Sequence, residues 1–189
     1  MGVYTHKIAQ SEYSLFYRNS GKWTNYSKLY DGDLNSSPTN QADSIGLKMD
    51  MSWLPSGMRL CGVTVRLGYK RGGSNGASVW LRSTNSQGNA SASYRYDLAE
   101  IQTAAGTYNV LEYHEGTAEI SQGQSEAFLA NENKYIVMNY SPEKTEIEVT
   151  FSYTENGDIP IYVGNSNISG LYVGDTKATA VYIGDTKVL

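Results

Sequence analysis

Apolar and polar residues alternate along most of this chain with the period of two that a β-strand requires. The alternation is clearest in residues 45–53, 61–69 and 147–153, where every second side chain is apolar. This pattern predicts antiparallel strands with one buried face and one solvated face. Residues 135–140 are apolar almost throughout, which predicts a central strand that is covered on both faces.

Further short strands are predicted at 79–82, 94–98 and 108–113, which gives eight or more strands at regular spacing. Only 97–102 and 125–131 favour helical turns, and both segments are short. We therefore expect an all-β protein. Its body, residues 1–157, is predicted to be a jelly-roll-like antiparallel β-sandwich, and residues 158–189 a short C-terminal β-repeat module. The turn-forming sequence Asn156-Gly157-Asp158 marks the boundary.

Residues 161–189 are three copies of one decapeptide: IYVGNSNISG, LYVGDTKATA and VYIGDTKVL. Each copy contains a glycine followed by Asn or Asp, and such a pair fits a two-residue type II′ turn, in which glycine supplies the positive φ. The turn pairs are Gly164-Asn165, Gly174-Asp175 and Gly184-Asp185. This register places Tyr172 opposite Lys177 and Val173 opposite Thr176, and likewise Tyr182 opposite Lys187 and Ile183 opposite Thr186.

The three copies can be arranged in two ways. In an antiparallel meander Tyr172 and Tyr182 fall on opposite faces, whereas in a solenoid Tyr162, Tyr172 and Tyr182 form a ladder. Strands this short are not independently stable, so both arrangements need a partner surface on the body or on identical copies. We expect these tyrosines and the Gly-Asp/Asn turns to act in oligomerisation or docking. A third interpretation is that the repeats are the last meander of the sandwich.

Composition excludes several classes of function. Only 18% of the residues are charged, the net charge is −4, and no basic stripe is visible, so nucleic-acid binding is not expected. No apolar run approaches the roughly 20 residues of a membrane span, and the N-terminal residues lack the apolar stretch of a signal peptide. A single cysteine, Cys61, excludes an intrachain disulfide framework and a cysteine-based zinc site. We expect folding in a cytoplasm, with no cofactor and no metal.

Catalytic motifs are scarce. The only histidines are His6, expected in a mobile terminus, and His114, expected as a loop residue at a strand end. Glu112, Glu115 and Glu119 would provide the paired carboxylates of a glycosidase only if a cleft brought them together. No Gly-x-Ser-x-Gly elbow, P-loop or dinucleotide-binding fingerprint is present. The chain is therefore not expected to be an enzyme, and a glycan hydrolase using Glu112 or Glu115 is a minor alternative.

The segment Tyr30-Asp31-Gly32-Asp33 offers two carboxylates to a Ca²⁺ ion. Two carboxylates are fewer ligands than calcium needs, and backbone carbonyls would have to supply the others. Asx-turns made by the aspartate side chains are the simpler explanation, and we favour them.

Aromatic residues near predicted loops form a second candidate site. Flat rings suit the apolar face of a pyranose, so Trp23, Tyr26, Tyr30 and Trp80 are candidates for glycan binding. The alternative is that these rings fill the core and the pleated surfaces, as aromatic residues in β proteins usually do.

Two resemblances add to this interpretation. The repeats YVGNSN, YVGDTK and YIGDTK resemble those at the ends of virion structural proteins of bacteriophages and prophages of Gram-positive hosts. Separately, LYDGDLNSS, followed by an alternating strand and GVTVRL, resembles discoidin-like, galactose-binding-type sandwiches. The first resemblance implies a non-enzymatic virion protein, made in the host cytoplasm, that serves as a head or tail appendage. Its expected partners are other virion proteins and identical copies, with a trimer favoured. The alternative function is a carbohydrate-binding module that attaches to host-surface glycans.

Overall fold

The structure, a computed structural model, describes residues 2–18, 23–41, 43–69, 77–86, 95–103, 110–139 and 143–155, together with the backbone of six short strands between residues 161 and 187. Nine of the described strands form two antiparallel sheets, so the prediction of an all-β protein is confirmed. The strands are β1 (Val3–Lys7), β2 (Tyr13–Arg18), β3 (Ser44–Met49), β4 (Met58–Tyr69), β5 (Ser78–Thr84), β6 (Arg95–Gln102), β7 (Glu112–Glu119), β8 (Asn133–Asn139) and β9 (Glu146–Glu155).

Strands that are distant in the chain are neighbours in both sheets. The four-stranded sheet has the order β1-β9-β4-β7, and the five-stranded sheet has the order β2-β3-β8-β5-β6. Every pairing within them is antiparallel.

One apolar cluster joins the inner faces of the two sheets. The four-stranded sheet contributes alternate residues of β4 and β9, such as Val65 and Phe151, and the five-stranded sheet contributes alternate residues of β3 and β8, such as Leu47 and Ile136. Val65, Phe151 and Leu47 are apolar positions of the alternating segments, and Ile136 belongs to the continuous apolar run. Fully burying a side chain of this size contributes about 1.5–3 kcal/mol, so this cluster is the main favourable contribution to folding.

The central position predicted for residues 135–140 is confirmed by β8, the third of five strands in its sheet. Ile136 and Met138 face the apolar cluster. On the outer face, the ring of Tyr135 stacks on Phe16 with the centroids 4.5 Å apart, and Tyr17 lies edge-on to it at 6.2 Å. Both faces of β8 are therefore covered.

The helical turn predicted over 97–102 was wrong, because this segment belongs to β6. Leu98 and Ile101 are both buried, and their spacing of three is the one that favours a helix. In the structure a register shift opposite Leu81 leaves Leu98 unpaired, and this bulge brings both side chains to the core from a strand.

The helix predicted over 125–131 is present as α1 (Gln122–Ala130). Ser121 accepts a hydrogen bond from the Gln124 backbone N–H, and the Gln124 side chain accepts one from the Ser121 N–H, which completes a capping box. Ser125 Oγ accepts a bond from the Leu60 N–H at 2.9 Å and so attaches the helix to β4. None of the helices among the described residues is long and apolar enough to cross a membrane.

His6 was expected in a mobile terminus, but it lies in β1, which pairs with β9 at the edge of its sheet. Its ring stacks on Trp53 with the centroids 4.1 Å apart, and its Nε2 lies 2.9 Å from the Glu12 carboxylate. Backbone pairing and aromatic contact therefore order a segment whose sequence lacks clear apolar alternation.

Three short hairpins follow the body: β10 (Ile161–Val163) with β11 (Ser166–Ile168), β12 (Tyr172–Val173) with β13 (Thr176–Lys177), and β14 (Tyr182–Ile183) with β15 (Thr186–Lys187). Tyr172 pairs with Lys177 and Tyr182 with Lys187, which is the register predicted from two-residue turns. Each hairpin is a separate two-stranded sheet among the described strands, so β11 and β12 belong to different sheets.

Gly116→Ala is expected to destabilise the body by about 1–3 kcal/mol, because its Cβ would lie 2.5 Å from the backbone carbonyl oxygen of Gln102. Gly62→Ala on the neighbouring strand β4 is the matched control, since the nearest atom to its Cβ is 3.6 Å away. Urea denaturation followed by tryptophan fluorescence compares the two variants. Equal stabilities would contradict the close approach of β6 and β7.

Candidate functional site

A groove of about 370 Å³ opens where the end of β1 and the start of β9 meet the 3-10 helix Tyr26–Tyr30. We call it the β9 groove. The rings of Tyr13 and Tyr30 stack there with their centroids 5.1 Å apart. Its polar lining includes three acidic residues and consists of Lys7, Gln10, Asp31, Glu146 and Glu148 together with Gly32. The groove therefore combines aromatic surface with several hydrogen-bond acceptors.

Residues Asp31 to Ser36, which we call the acidic loop, begin at this groove, and Asp31 and Gly32 line it. Asp31 Oδ1 accepts a hydrogen bond from the Asp33 N–H at 2.9 Å, and Asp33 Oδ1 accepts one from the Asn35 N–H at 2.9 Å. These are two successive Asx-turns, the explanation we favoured from the sequence. Among the described residues, no group of three or more His, Cys, Asp or Glu side chains is arranged to hold a metal ion.

Glu146 connects the acidic loop to the body. Its Oε2 accepts a hydrogen bond from the Gly32 N–H at 3.1 Å. Burial raises the pKa of Glu146 to about 8, partly opposed by the Gly32 hydrogen bond, and the neighbouring Asp31 carboxyl raises it further. At neutral pH the Glu146 side chain therefore retains its proton.

Glu148 lies two residues along the same strand and has the opposite environment. Arg66 Nη1 donates to Glu148 Oε2 at 2.6 Å, and Lys7 Nζ binds the other carboxylate oxygen. Arg66 Nε also lies 3.8 Å from the Glu115 carboxylate, and its guanidinium group lies 4.4 Å from the centroid of the Tyr113 ring. Charges of alternating sign thus cross all four strands of this sheet, an arrangement that favours one strand register.

The four residues predicted to bind glycans do not form one site. Trp23 is fully buried in the core, so we remove it from the proposed glycan-contacting set. Trp80 is half-buried on the five-stranded sheet, with the guanidinium of Arg82 5.4 Å from its ring. Tyr26 and Tyr30 lie on one 3-10 helix and pack against the core, and only Tyr30 lines the β9 groove.

His114 was expected at a strand end in a loop, and this was wrong. It lies within β7, is 5% exposed, and its ring contacts the Tyr69 ring in a tilted arrangement with the centroids 4.0 Å apart. Its Nε2 lies 3.1 Å from the Tyr69 carbonyl oxygen. The residue is therefore part of the sandwich interior.

The glutamates of β7 are not brought together as a pair. Glu112 is paired with the inward-facing Tyr69, and Glu115 with Arg66 on the opposite face. Both are exposed, and neither lines the β9 groove. This arrangement does not favour a paired-carboxylate site on β7.

The residues predicted for oligomerisation or docking are only partly described. Tyr162, Tyr172 and Tyr182 occupy equivalent positions in the first strands of the three hairpins. Gly164, Gly174, Asp175, Gly184 and Asp185 lie outside the described residues, so their turn geometry stays a prediction.

Comparisons with protein-family models, with curated proteins and with solved structures find no match for this chain. Function therefore has to be inferred from the residues of the chain itself.

Sequence reasoning missed the two buried ionisable residues near the start of β9, Lys144 and Glu146. Lys144 is fully buried, and its Nζ donates a hydrogen bond to the Asn139 carbonyl oxygen. The Gln41 side chain donates to the Lys144 carbonyl oxygen at 2.7 Å and accepts from its N–H at 3.0 Å. Nothing in the run KTEIEV distinguishes these two residues from surface charges, because it is a distant segment, residues 31–41, that buries them.

Lys144 is expected to make stability rise with pH above neutrality. Burial lowers the pKa of Lys144 to about 7, so between pH 7 and 10 the unfolded chain binds more protons here than the folded protein does. Lys144→Met should remove this rise, which is at most about 1.4 kcal/mol per pH unit. Chemical denaturation at pH 7, 8 and 9 measures it, with Lys28→Met, at a partly buried lysine, as the control. If wild type and Lys144→Met follow the same pH dependence, Lys144 is not desolvated as described.

Proposed function

We propose that this protein is a non-enzymatic structural component of a bacteriophage virion, a head or tail appendage whose C-terminal hairpins mediate oligomerisation or docking. The observation that carries the proposal is one hairpin register repeated three times. In each copy the tyrosine pairs with the residue five positions later, as in Tyr162 with Asn167 and Tyr172 with Lys177. A unit repeated at a fixed interval is suited to making the same contact several times.

The size of the hairpins supports a partner surface. Their strands are two or three residues long, and an isolated two-stranded hairpin is marginally stable at best in water. Identical copies around a symmetry axis would supply equivalent surfaces to all three hairpins. We favour a homotrimer, with other virion proteins as further partners. The virion location, after synthesis in the host cytoplasm, is part of the same proposal and rests on the resemblance of the repeats.

We further propose that the body is a jelly roll, and its strand order supports this. Apart from β2, the strands form the two four-stranded rows β1-β9-β4-β7 and β3-β8-β5-β6. Early strands lie beside late ones, β1 beside β9 and β3 beside β8, as they do when a long antiparallel ribbon is rolled into two sheets. The remaining strand, β2, is an additional edge strand beside β3.

Replacing both Gly174 and Gly184 with valine is expected to abolish the native oligomer while the body stays folded. Valine disfavours the positive φ that the predicted turns require, so the second and third hairpins should not close. Native mass spectrometry measures the mass of the oligomer, and thermal unfolding tests whether the body stays folded. Gly123→Val on the open surface of α1 is the control. A double variant that keeps the wild-type mass would refute a role of the hairpins in oligomerisation.

The β9 groove favours a second candidate function, carbohydrate binding at the host surface. The half-buried ring of Tyr30, stacked on the buried Tyr13, offers a flat apolar surface, and Asp31 and Glu148 offer acceptors for sugar hydroxyls. In this proposal Tyr30 replaces the tryptophans as the principal aromatic contact, because Trp23 is buried.

Tyr30→Ala is expected to weaken binding to host cell-wall polysaccharide at least tenfold, since it removes half of the stacked pair. Trp80→Ala, on the other sheet, is the matched aromatic control and should bind like wild type. Pull-down with wall preparations followed by calorimetry measures both. Loss of binding in Trp80→Ala alone would move the site to the five-stranded sheet, and absence of binding in wild type would reject the carbohydrate function.

A further inference from the structure

Two arginines on the outer face of the five-stranded sheet share one carboxylate. Arg82 on β5 lies opposite Asp97 on β6, and Arg95 lies two residues before Asp97 on the same strand. Arg82 Nε donates a hydrogen bond to Asp97 Oδ1 at 2.8 Å, and Arg95 Nε donates to the same oxygen at 2.9 Å. One negative charge therefore faces two positive charges, and one positive charge in this cluster is left uncompensated.

Both guanidinium groups keep donors for a ligand. Each has two Nη groups, and within the described part of the chain these nitrogens donate no hydrogen bond to a protein group. The side chain of Arg82 is 14% exposed and that of Arg95 is 25% exposed, and their Nη atoms do not belong to the buried polar atoms that lack a partner. These nitrogens are therefore in contact with solvent and accessible to an incoming acceptor.

The hydroxyl group of Tyr135 is a further donor beside this cluster. Tyr135 on β8 lies opposite Arg82, so the two side chains project from the same face of the sheet. Tyr135 is 1% exposed, and its hydroxyl has no hydrogen-bond partner among the described residues. Burial raises the pKa of Tyr135 to about 12, so the hydroxyl keeps its proton. A buried donor without an acceptor costs free energy, which indicates that an acceptor is missing here.

The surroundings of the cluster strengthen its attraction for an anion. The Arg82 guanidinium lies 5.4 Å from the centroid of the Trp80 ring, and the ring of Tyr135 is itself part of an aromatic stack. Apolar rings exclude water and lower the local dielectric constant, so a charge pair here is stronger than one in bulk water. Two further charged side chains of this face, Lys48 opposite Tyr135 and Glu100 opposite Trp80, have opposite signs and leave the balance of charge unchanged.

We propose that Arg82, Arg95 and Tyr135 form a binding site for a singly charged oxyanion, either a carboxylate or a phosphodiester group. Guanidinium groups bind such anions through paired N–H···O bonds, and one negative charge neutralises the positive charge that Asp97 leaves uncompensated. The ligand also supplies the acceptor that the Tyr135 hydroxyl lacks. The site goes beyond the proposed structural role, lies on the other sheet from the β9 groove, and depends neither on the hairpins nor on glycan binding.

The test is an NMR titration of the full-length protein with acetate and with dimethyl phosphate, in separate experiments at constant ionic strength. The Nε–H signals of Arg82 and Arg95 should shift saturably with one common dissociation constant, and chloride at the same concentration should not shift them. The probe that binds more tightly shows whether the site prefers a carboxylate or a phosphodiester. If neither probe gives a saturable shift at both arginines, or if chloride gives the same shift, the proposal is refuted.

Four variants separate this site from general attraction of anions. Arg95→Gln removes one cation and should weaken binding about tenfold, since charge-assisted hydrogen bonds are lost. Asp97→Asn keeps an oxygen for the Nε donors but removes the competing charge, so binding should tighten. Tyr135→Phe should weaken binding without lowering stability, because the folded protein loses no hydrogen bond. Arg66→Gln removes an arginine from the other sheet and should bind like wild type.

Thermal unfolding establishes that each variant is folded before its dissociation constant is compared with that of wild type. A folded Arg95→Gln variant that binds as tightly as wild type would overturn the proposal. Weaker binding in Asp97→Asn, or an equal loss of binding in Arg66→Gln, would also overturn it.

Discussion

The contact between the inner faces of the two antiparallel sheets is the interaction on which the rest of the structure depends. Alternate residues of β3, β4, β8 and β9 contribute to one buried cluster, and β1, β2, β5 and β7 each pair with one of these four strands. Helix α1 is attached to β4 through Ser125, and the 3-10 helix of residues 26–30 is held by Leu29 in the same cluster. Removing apolar surface from water is the largest favourable term in folding. Because the cluster fixes how the strands pack, it also determines where the polar groups on these strands lie.

The polar groups of greatest interest lie at one end of the sandwich, where residues 23–41 fold against the start of β9. Burial there has different effects on three neighbouring side chains. Lys144 is fully enclosed and hydrogen-bonded to a carbonyl oxygen, Glu146 keeps a proton beside Asp31, and Glu148 is compensated by Arg66 and Lys7. The environment of each residue, rather than its type, decides its charge. The proposed carbohydrate site depends on this arrangement.

The hairpins of residues 161–187 follow a different principle. The body combines strands that are far apart in sequence, whereas each hairpin pairs residues at most seven positions apart. Local pairing fixes the register through the turn, but strands of this length bury little apolar area. The proposed role in oligomerisation follows from that combination of a defined register and insufficient burial.

The sequence by itself determined the local features: the alternating strands, the central β8, a short helix near residues 125–131 and the pairing of Tyr172 with Lys177. These features depend on side-chain period, capping and turn geometry, which act over a few residues. Only the tertiary structure decided that Leu98 reaches the core through a bulge and that His6 is ordered by Trp53. It also decided that Trp23 is buried and that Glu146 faces Asp31. The physical reason is that burial and pKa are set by neighbours that are distant in the chain, such as Trp53 for His6 and Gly32 for Glu146, and no local pattern records them.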